Sequence, residues 1–157
     1  MTSASRILLS VLACTAALAL AGCGSSPPKP TQLSGTIKAS PAVNPSASAR
    51  PSPLLLRVYE LKTDAAFGKA DFMALYQRDQ AELAADLVAR EEYMLSPGET
   101  RSFTKKLAPE TRFIGVLAAY RDLEHAVWRK VVPVPPGEKL QAVIQADALS
   151  VDVTVKK

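Results

Sequence analysis

Cys23 is the one side chain in this sequence whose type and setting point to covalent chemistry. It stands between an apolar run and the polar stretch Gly24–Pro30 (GSSPPKP), so it lacks both the apolar flanks of a core cysteine and the neighbours of a metal ligand. The other reactive groups lack convergent company. His125 is the only histidine, which excludes a histidine-rich metal site and weakens any nucleophile–base pair. Within Asp122-Leu123-Glu124-His125 it falls between two expected strands and reads as an exposed hairpin residue. Glu91-Glu92 is a carboxylate pair in sequence only. Adjacent residues point to opposite faces of a strand or diverge by about 100° around a helix, and the pair reads as a charged helix end. Tyr59 and Trp128 read as large core side chains rather than a stacking platform. With no G-x-S-x-G elbow, no glycine-rich phosphate loop and no metal-ligand spacing, the chain is expected to be no enzyme, and to need no cofactor and no metal.

The residues ahead of Cys23 explain its thiol. Met1–Arg6 is short and polar with one positive charge, and Ile7–Leu20 is apolar apart from Ser10 and Thr15. This is a signal-peptide layout, and the apolar run falls short of the roughly 20 residues of a spanning helix. Leu20-Ala21-Gly22-Cys23 resembles the bacterial lipobox. The resemblance implies a covalent diacylglycerol on the Cys23 sulfur, cleavage before that residue, and an N-acyl chain on the freed amine. Several acyl chains anchor stably where one binds only marginally. Gly24 in place of an aspartate is consistent with export to the outer membrane, inner leaflet, facing the periplasm. The expected organisation is a signal peptide over 1–22, a lipidated cysteine and tether over 23–30, and one folded domain over 31–157. Fully extended, the tether Gly24–Pro30 reaches about 20–25 Å.

Without Cys14, which leaves with the signal peptide, Cys23 is the last cysteine, so no intramolecular disulfide supports the domain. Basic residues exceed the 15 acidic ones only slightly, and they are scattered. A nucleic-acid binder clusters them and interleaves aromatics, so nucleic acid is not an expected partner.

The elements that must carry any site follow from periodicity. Strands are expected at Leu33–Ser40, Leu54–Leu61, Glu92–Leu95, Thr100–Leu107, Phe113–Tyr120, Ala126–Val132, Gln141–Ala146 and Leu149–Val155. Phe113–Tyr120 (FIGVLAAY) is the most apolar and reads as central; in the last strand Leu149, Val151, Val153 and Val155 alternate inward. Ser96-Pro97-Gly98-Glu99 has the residues of a type II turn. Between the second and third strands the period becomes helical. Phe72, Leu75 and Tyr76 share one face, Leu83 and Leu87 another, and Asp79 with Glu82 has capping-box spacing, which predicts two short helices over about 70–90. The fold class expected is mainly β, an antiparallel β-sandwich of about eight strands with a small two-helix insertion. Ala42–Pro53 (AVNPSASARPSP), with three prolines and three serines, is a loop longer than a hairpin needs, and long loops on rigid sheets often carry binding.

Several of these pieces occur in one order. After the lipobox and tether come Asn44-Pro45, then Arg50-Pro51-Ser52-Pro53 running into Leu56-Arg57-Val58-Tyr59-Glu60-Leu61. Then come Asp71-Phe72-Met73-Ala74-Leu75-Tyr76, Leu95-Ser96-Pro97-Gly98-Glu99, Ala118-Ala119-Tyr120-Arg121-Asp122 and Ala126-Val127-Trp128-Arg129. The ordered set resembles the outer-membrane lipoprotein of the type VI secretion system, the TssJ family. The resemblance implies a transthyretin-like sandwich and a non-enzymatic role, anchoring an envelope-spanning complex in the outer membrane. It implies as partner the periplasmic C-terminal region of a large inner-membrane protein of the TssM family, and no small-molecule substrate. It also places the contact in the loop between the first two strands, here Asn44, Pro45, Ser46, Ala47, Ser48, Ala49, Arg50 and Pro51. Arg50 is the long side chain available for a directional bond, with Asn44 second. Where the resemblance calls for an Asp/Asn and Gly turn, the sequence has Ser46-Ala47-Ser48-Ala49. Two rival readings remain, an unrelated envelope lipoprotein acting as an assembly factor or small-ligand carrier, and an envelope hydrolase or inhibitor using carboxylates.

Overall fold

A computed structural model describes residues 29–157; the expected signal peptide over 1–22, Cys23 and most of the expected tether lie outside the described residues. Eight strands form two four-stranded sheets packed face to face. They are β1 (Gln32–Ala39), β2 (Leu54–Leu61), β3 (Leu87–Leu95), β4 (Thr100–Lys106), β5 (Phe113–Ala118), β6 (Arg129–Pro133), β7 (Lys139–Ala146) and β8 (Val151–Lys156). One sheet has the order β4-β1-β7-β8 and the other β3-β2-β5-β6. The mainly β sandwich expected from the sequence is therefore present, with β5 inside its sheet. One pair departs from the antiparallel expectation: β1 and β7 run parallel, from Gln32 opposite Lys139 to Ala39 opposite Ala146. The strands sit far apart in sequence, and nothing local marks their relative direction.

The core follows the period-2 patterns. Leu140, Ala142, Ile144 and Ala146 of β7 are buried on alternate positions, as are Leu54, Leu56 and Val58 of β2. The other face of β2 is buried too, because the helical insertion covers it, and that explains why LLLRVYEL reads as an almost continuous apolar run. Helix α1 (Ala65–Lys69) sets Phe67, fully buried, against Gly115 of β5. A Cβ at Gly115 would stand 3.1 Å from the Phe67 ring and from Leu61 Cδ1, so glycine is what admits the ring. Tyr59 packs beside it, ring centroids 5.4 Å apart.

Helix α2 (Phe72–Leu83) is followed by a 3₁₀ turn, Ala84–Asp86. The helical segments thus run from Ala65 to Asp86 rather than over 70–90, and Leu87 belongs to β3. The expected break at Asp79 is real, but its cause differs. Asp71 is the N-cap, accepting from the Ala74 amide at 2.8 Å, and the irregular residue is Arg78 (φ −138°, ψ 31°). Past the break, Asp79 Oδ1 accepts from the Gln80 amide at 2.9 Å. Arg57 of β2 donates from Nη1 to the Tyr76 carbonyl, just before the break, at 2.7 Å. Asp79 Oδ2 accepts from Arg90 Nη1 at 2.7 Å and from the Tyr59 hydroxyl at 3.1 Å, fixing the buried middle of α2 to the sheet. Arg129 does the same for α1, donating to the Ala70 carbonyl at 2.6 Å, at the helix end where a cation suits both the free carbonyls and the dipole.

Glu91 and Glu92 are not a helix end. Both lie in β3 and point to opposite faces, Glu92 pairing with Arg57 on the outside at 2.7 Å and Glu91 with Lys105 between the sheets at 2.6 Å. Lys105, from the facing sheet, also meets buried Glu60 at 2.7 Å, and Glu60 accepts from Thr111 Oγ1 at 2.8 Å. This cluster closes the β3–β4 side of the sandwich. The hydrogen bonds from Lys105 and then Tyr93 hold the Glu91 carboxyl below its usual 4.5. A depressed carboxyl contributes stability above its unfolded value and loses it as pH falls through the folded value. The melting temperature should therefore hold steady down to about pH 5 and fall below that, and Glu91→Gln should flatten part of the fall in a thermal-melt series. Lys105→Met should cost about 3 kcal/mol in chemical denaturation, because it leaves Glu60 buried without its cation.

Candidate functional site

Four connections meet at the end of the sandwich where β1 stops: the Ala42–Pro53 loop, the Ser96–Glu99 turn, residues 119–128 and residues 147–150. The first is built, not slack. Val43 is fully buried, its carbonyl accepts from the Ser52 amide at 3.1 Å, and Ser52 is itself buried. At the tip, the Ser46 amide donates to the Arg50 carbonyl and the Ala49 amide to the Ser46 carbonyl, both at 2.8 Å. Ala49 has φ 59°, so the tip has the hydrogen bonding of a short hairpin loop that closes through one left-handed residue.

Asn44 holds this loop to its neighbours. Its amide donates to the Ala148 carbonyl at 3.0 Å, its Nδ2 donates to the Pro53 carbonyl at 2.8 Å, and its Oδ1 accepts from the Arg121 amide at 2.8 Å. One buried residue thereby links the β1–β2, β5–β6 and β7–β8 connections. Its φ of 49° is one that asparagine tolerates better than most residues. Next to it Tyr120, buried and with its ionisation pushed up by that burial, donates to the Ser150 carbonyl at 2.6 Å.

The sequence-predicted contact residues thus divide. The Asn44 side chain is buried and committed internally, so it shapes the loop rather than presenting itself. Pro45 and Ser46 are half-buried; Ala47, Ser48, Ala49, Arg50 and Pro51 are exposed, and Arg50 makes no ion pair among the described residues. Arg121 and Asp122, which carried no binding role in the sequence, line an open cleft with Pro45, Ser46, Ala47 and Leu149; Leu149, expected to face inward in the last strand, instead lies before β8 and half-exposed. Their signal was the Ala118–Asp122 segment, whose place beside the first loop is a long-range fact. His125 is exposed as expected and sits 2.9 Å from Asp122, whose carboxyl that hydrogen bond pulls below its usual range. Tyr59 is core and Trp128 is half-buried, edge-on to Phe72 at 5.3 Å. Among the described residues no group of His, Cys, Asp and Glu could hold a metal, and no helix is long and apolar enough to cross a membrane.

The left-handed backbone and the two side-chain bonds at Asn44 separate experimentally. Asn44→Ala should cost about 2–3 kcal/mol in urea denaturation, and Asn44→Gly about 1 kcal/mol less than that, since glycine restores the backbone but not the bonds. Ala49→Gly should stabilise by up to about 1 kcal/mol in the same assay.

The architecture and sequence have relatives. The family model T6SS-SciN, described as type VI secretion lipoprotein, VasD, EvfM, TssJ, matches residues 31–149. The crystal structure of the T6SS lipoprotein TssJ1 from Pseudomonas aeruginosa is 40% identical, with a TM-score of 0.78, covering 83% of this chain and 98% of that one. Serratia marcescens Lip, a membrane-bound component of the type VI secretion system, is 30% identical at a TM-score of 0.72, covering 78% and 96%. A chain of the structure described as the T6SS protein TssM C-terminal domain from EAEC is 26% identical at a TM-score of 0.64, covering 78% and 97%. A comparison with curated proteins yields no match. With its sandwich, its helical insertion and most of its length matched, this chain belongs to the TssJ family of type VI secretion lipoproteins.

Proposed function

We propose that the chain is held in the inner leaflet of the outer membrane by acyl groups on Cys23, faces the periplasm, and binds the periplasmic C-terminal region of a large inner-membrane protein of the TssM family. The contact is the exposed tip of the β1–β2 loop, Ala47–Pro51, with Arg50 as its directional side chain. Asn44, Pro45 and Ser46 set the shape beneath it.

The observation that carries this reading is the ordered loop with an exposed tip. A segment already fixed by Asn44 and by the Ser46–Arg50 pair loses little freedom on docking, so more of its contact energy appears as affinity. Position supports it as well. β1 runs from Gln32, beside the tether, to Ala39, beside the loop, and eight residues of strand span about 26 Å. The loop is thus at the far end of the domain from the lipid. The likeness to a chain of the TssM C-terminal domain structure supports the class of partner.

The test is a paired affinity purification from detergent-solubilised membranes. One bait is the tagged chain; the other has Ala47–Arg50 replaced by Gly and Ser with Asn44 kept, and a thermal melt checks that both fold alike. A large inner-membrane protein should come down with the first bait and be reduced at least about tenfold with the second. Arg50→Ala should lose a smaller part of it. If the unaltered bait retains no such protein, the proposed contact with a TssM-family partner fails, and an assembly-factor or carrier role for this family member replaces it.

A further inference from the structure

The two ends of the sandwich differ in charge. At the end where β1 begins, the register places Lys106 of β4 and Lys139 of β7 on either side of Gln32. Lys156 of β8 lies opposite Gln141, two residues along β7 from Lys139, and Lys157 follows it. Neighbouring strands are about 4.8 Å apart, so these lysines form a row across the strand ends of one sheet. All four are exposed; Lys157 pairs with Glu138 at 2.8 Å, whereas Lys106, Lys139 and Lys156 make no ion pair among the described residues. Exposed Lys62 and Arg112 add charge at the same end of the other sheet, and Lys29 brings the tether in beside Gly137. The acidic groups here are Asp64, Asp86, Glu110 and Glu138, of which Asp86 is engaged by Thr63 and Glu138 by Lys157. The opposite end is balanced: Lys38, Arg50, Arg101 and Arg121 stand against Glu99, Asp122, Glu124 and Asp147, with Arg101 paired to Glu99.

We infer that the basic end is a seat for an anionic phospholipid surface, so that the domain stands upright on its strand ends with the loop end turned away from the bilayer. The inference rests on the lipid anchor proposed above. Five residues, 24–28, separate Cys23 from Lys29, and such a stretch reaches only about 20 Å when fully extended. The anchored domain therefore stays within about 20 Å of the headgroups, and the anchor has already met most of the cost of bringing the surfaces together. Under that constraint a modest excess of lysines selects orientation without having to supply binding. Phosphate-bearing headgroups attract such a row within roughly one Debye length, about 8 Å at physiological salt. The row lies at the end the tether enters, the end that the anchor lets come within that distance.

The test uses the mature, acylated protein reconstituted in vesicles of phosphatidylethanolamine with and without about 30 mol% phosphatidylglycerol. Acylation consumes the Cys23 thiol, so a single introduced thiol takes a fluorophore: Pro135→Cys reports the basic end and Ala47→Cys the loop end. Quenching by a nitroxide on the lipid headgroup should be at least about threefold stronger for the Pro135 label on anionic vesicles. High salt, or the exposed-site reversals Lys106→Glu, Lys139→Glu and Lys156→Glu together, should remove most of that excess. Equal quenching of the two labels, or an excess indifferent to lipid charge and salt, overturns the inference. The mass of the purified protein tests the anchor separately. If Cys23 carries no lipid, the anchor on which the seat depends is absent and the inference falls with it; if Cys23 is acylated, the quenching comparison alone decides.

Discussion

The carboxamide of Asn44 is the constraint on which the loop end depends. Four extended connections cannot all bond to one another through backbone alone, and an unpaired buried polar group costs about 1–3 kcal/mol. Asn44 supplies a donor, an acceptor and a left-handed backbone turn from one position, and it does so for the Pro53 carbonyl, the Arg121 amide and the Ala148 carbonyl. The exposed residues from Ala47 to Pro51 need carry no structural load as a result. Their composition can change while the platform stays. That accounts for a tip made of Ser and Ala where a glycine turn would be expected, at the cost of one alanine in an unfavourable conformation, Ala49.

Charge does the work elsewhere that a disulfide often does in exported domains. Lys105 spans the gap between sheets to Glu60 and Glu91 on the open β3–β4 side. On the outer face Arg129 holds the end of α1, Arg57 holds the middle of α2, and Asp79 locks the broken turn that follows. Removing one partner from such a cluster costs far more than the pair contributes over a well-packed apolar replacement. Each cluster joins segments distant in the chain, so they fix how the insertion sits on its sheet rather than whether each element forms.

The elements were legible where their patterns are local. Leu54–Leu61 emerges with the expected bounds, the Ser96–Glu99 turn has Gly98 at φ 77°, and the alternation of Val151 and Val153 is inward as read. His125 and Tyr59 also fall where their surroundings in the sequence put them. What was not legible depends on contacts across the chain. Asp79 looked like a helix cap because its spacing to Glu82 is that of one, yet its partners Tyr59 and Arg90 are 20 and 11 residues away. Leu87–Glu92 looked helical because its charges and apolar residues carry no clean alternation; one face of β3 meets an ion cluster instead of a core. Asn44 read as a surface residue for the same reason, since no local pattern reveals Arg121 beside it.

The parallel pairing of β1 with β7 has a mechanical meaning. Thr31 and the residues before it lead into one end of β1 and the loop leaves from the other, so under the proposed anchoring and docking a pull between lipid and partner would run along a single strand. β1 is an inner strand, bonded on one side to β4 over Gln32–Lys38 and on the other to β7 over its full length. A force along that axis runs through the covalent backbone of β1, which is already extended, and the two ladders hold it in place without being opened from either end. Had the tether and loop met at the same end of a hairpin, the same force would open bonds one after another. Resistance to pulling is set by the rate of the opening step rather than by equilibrium stability, and the placement of β1 raises that barrier without adding a single contact.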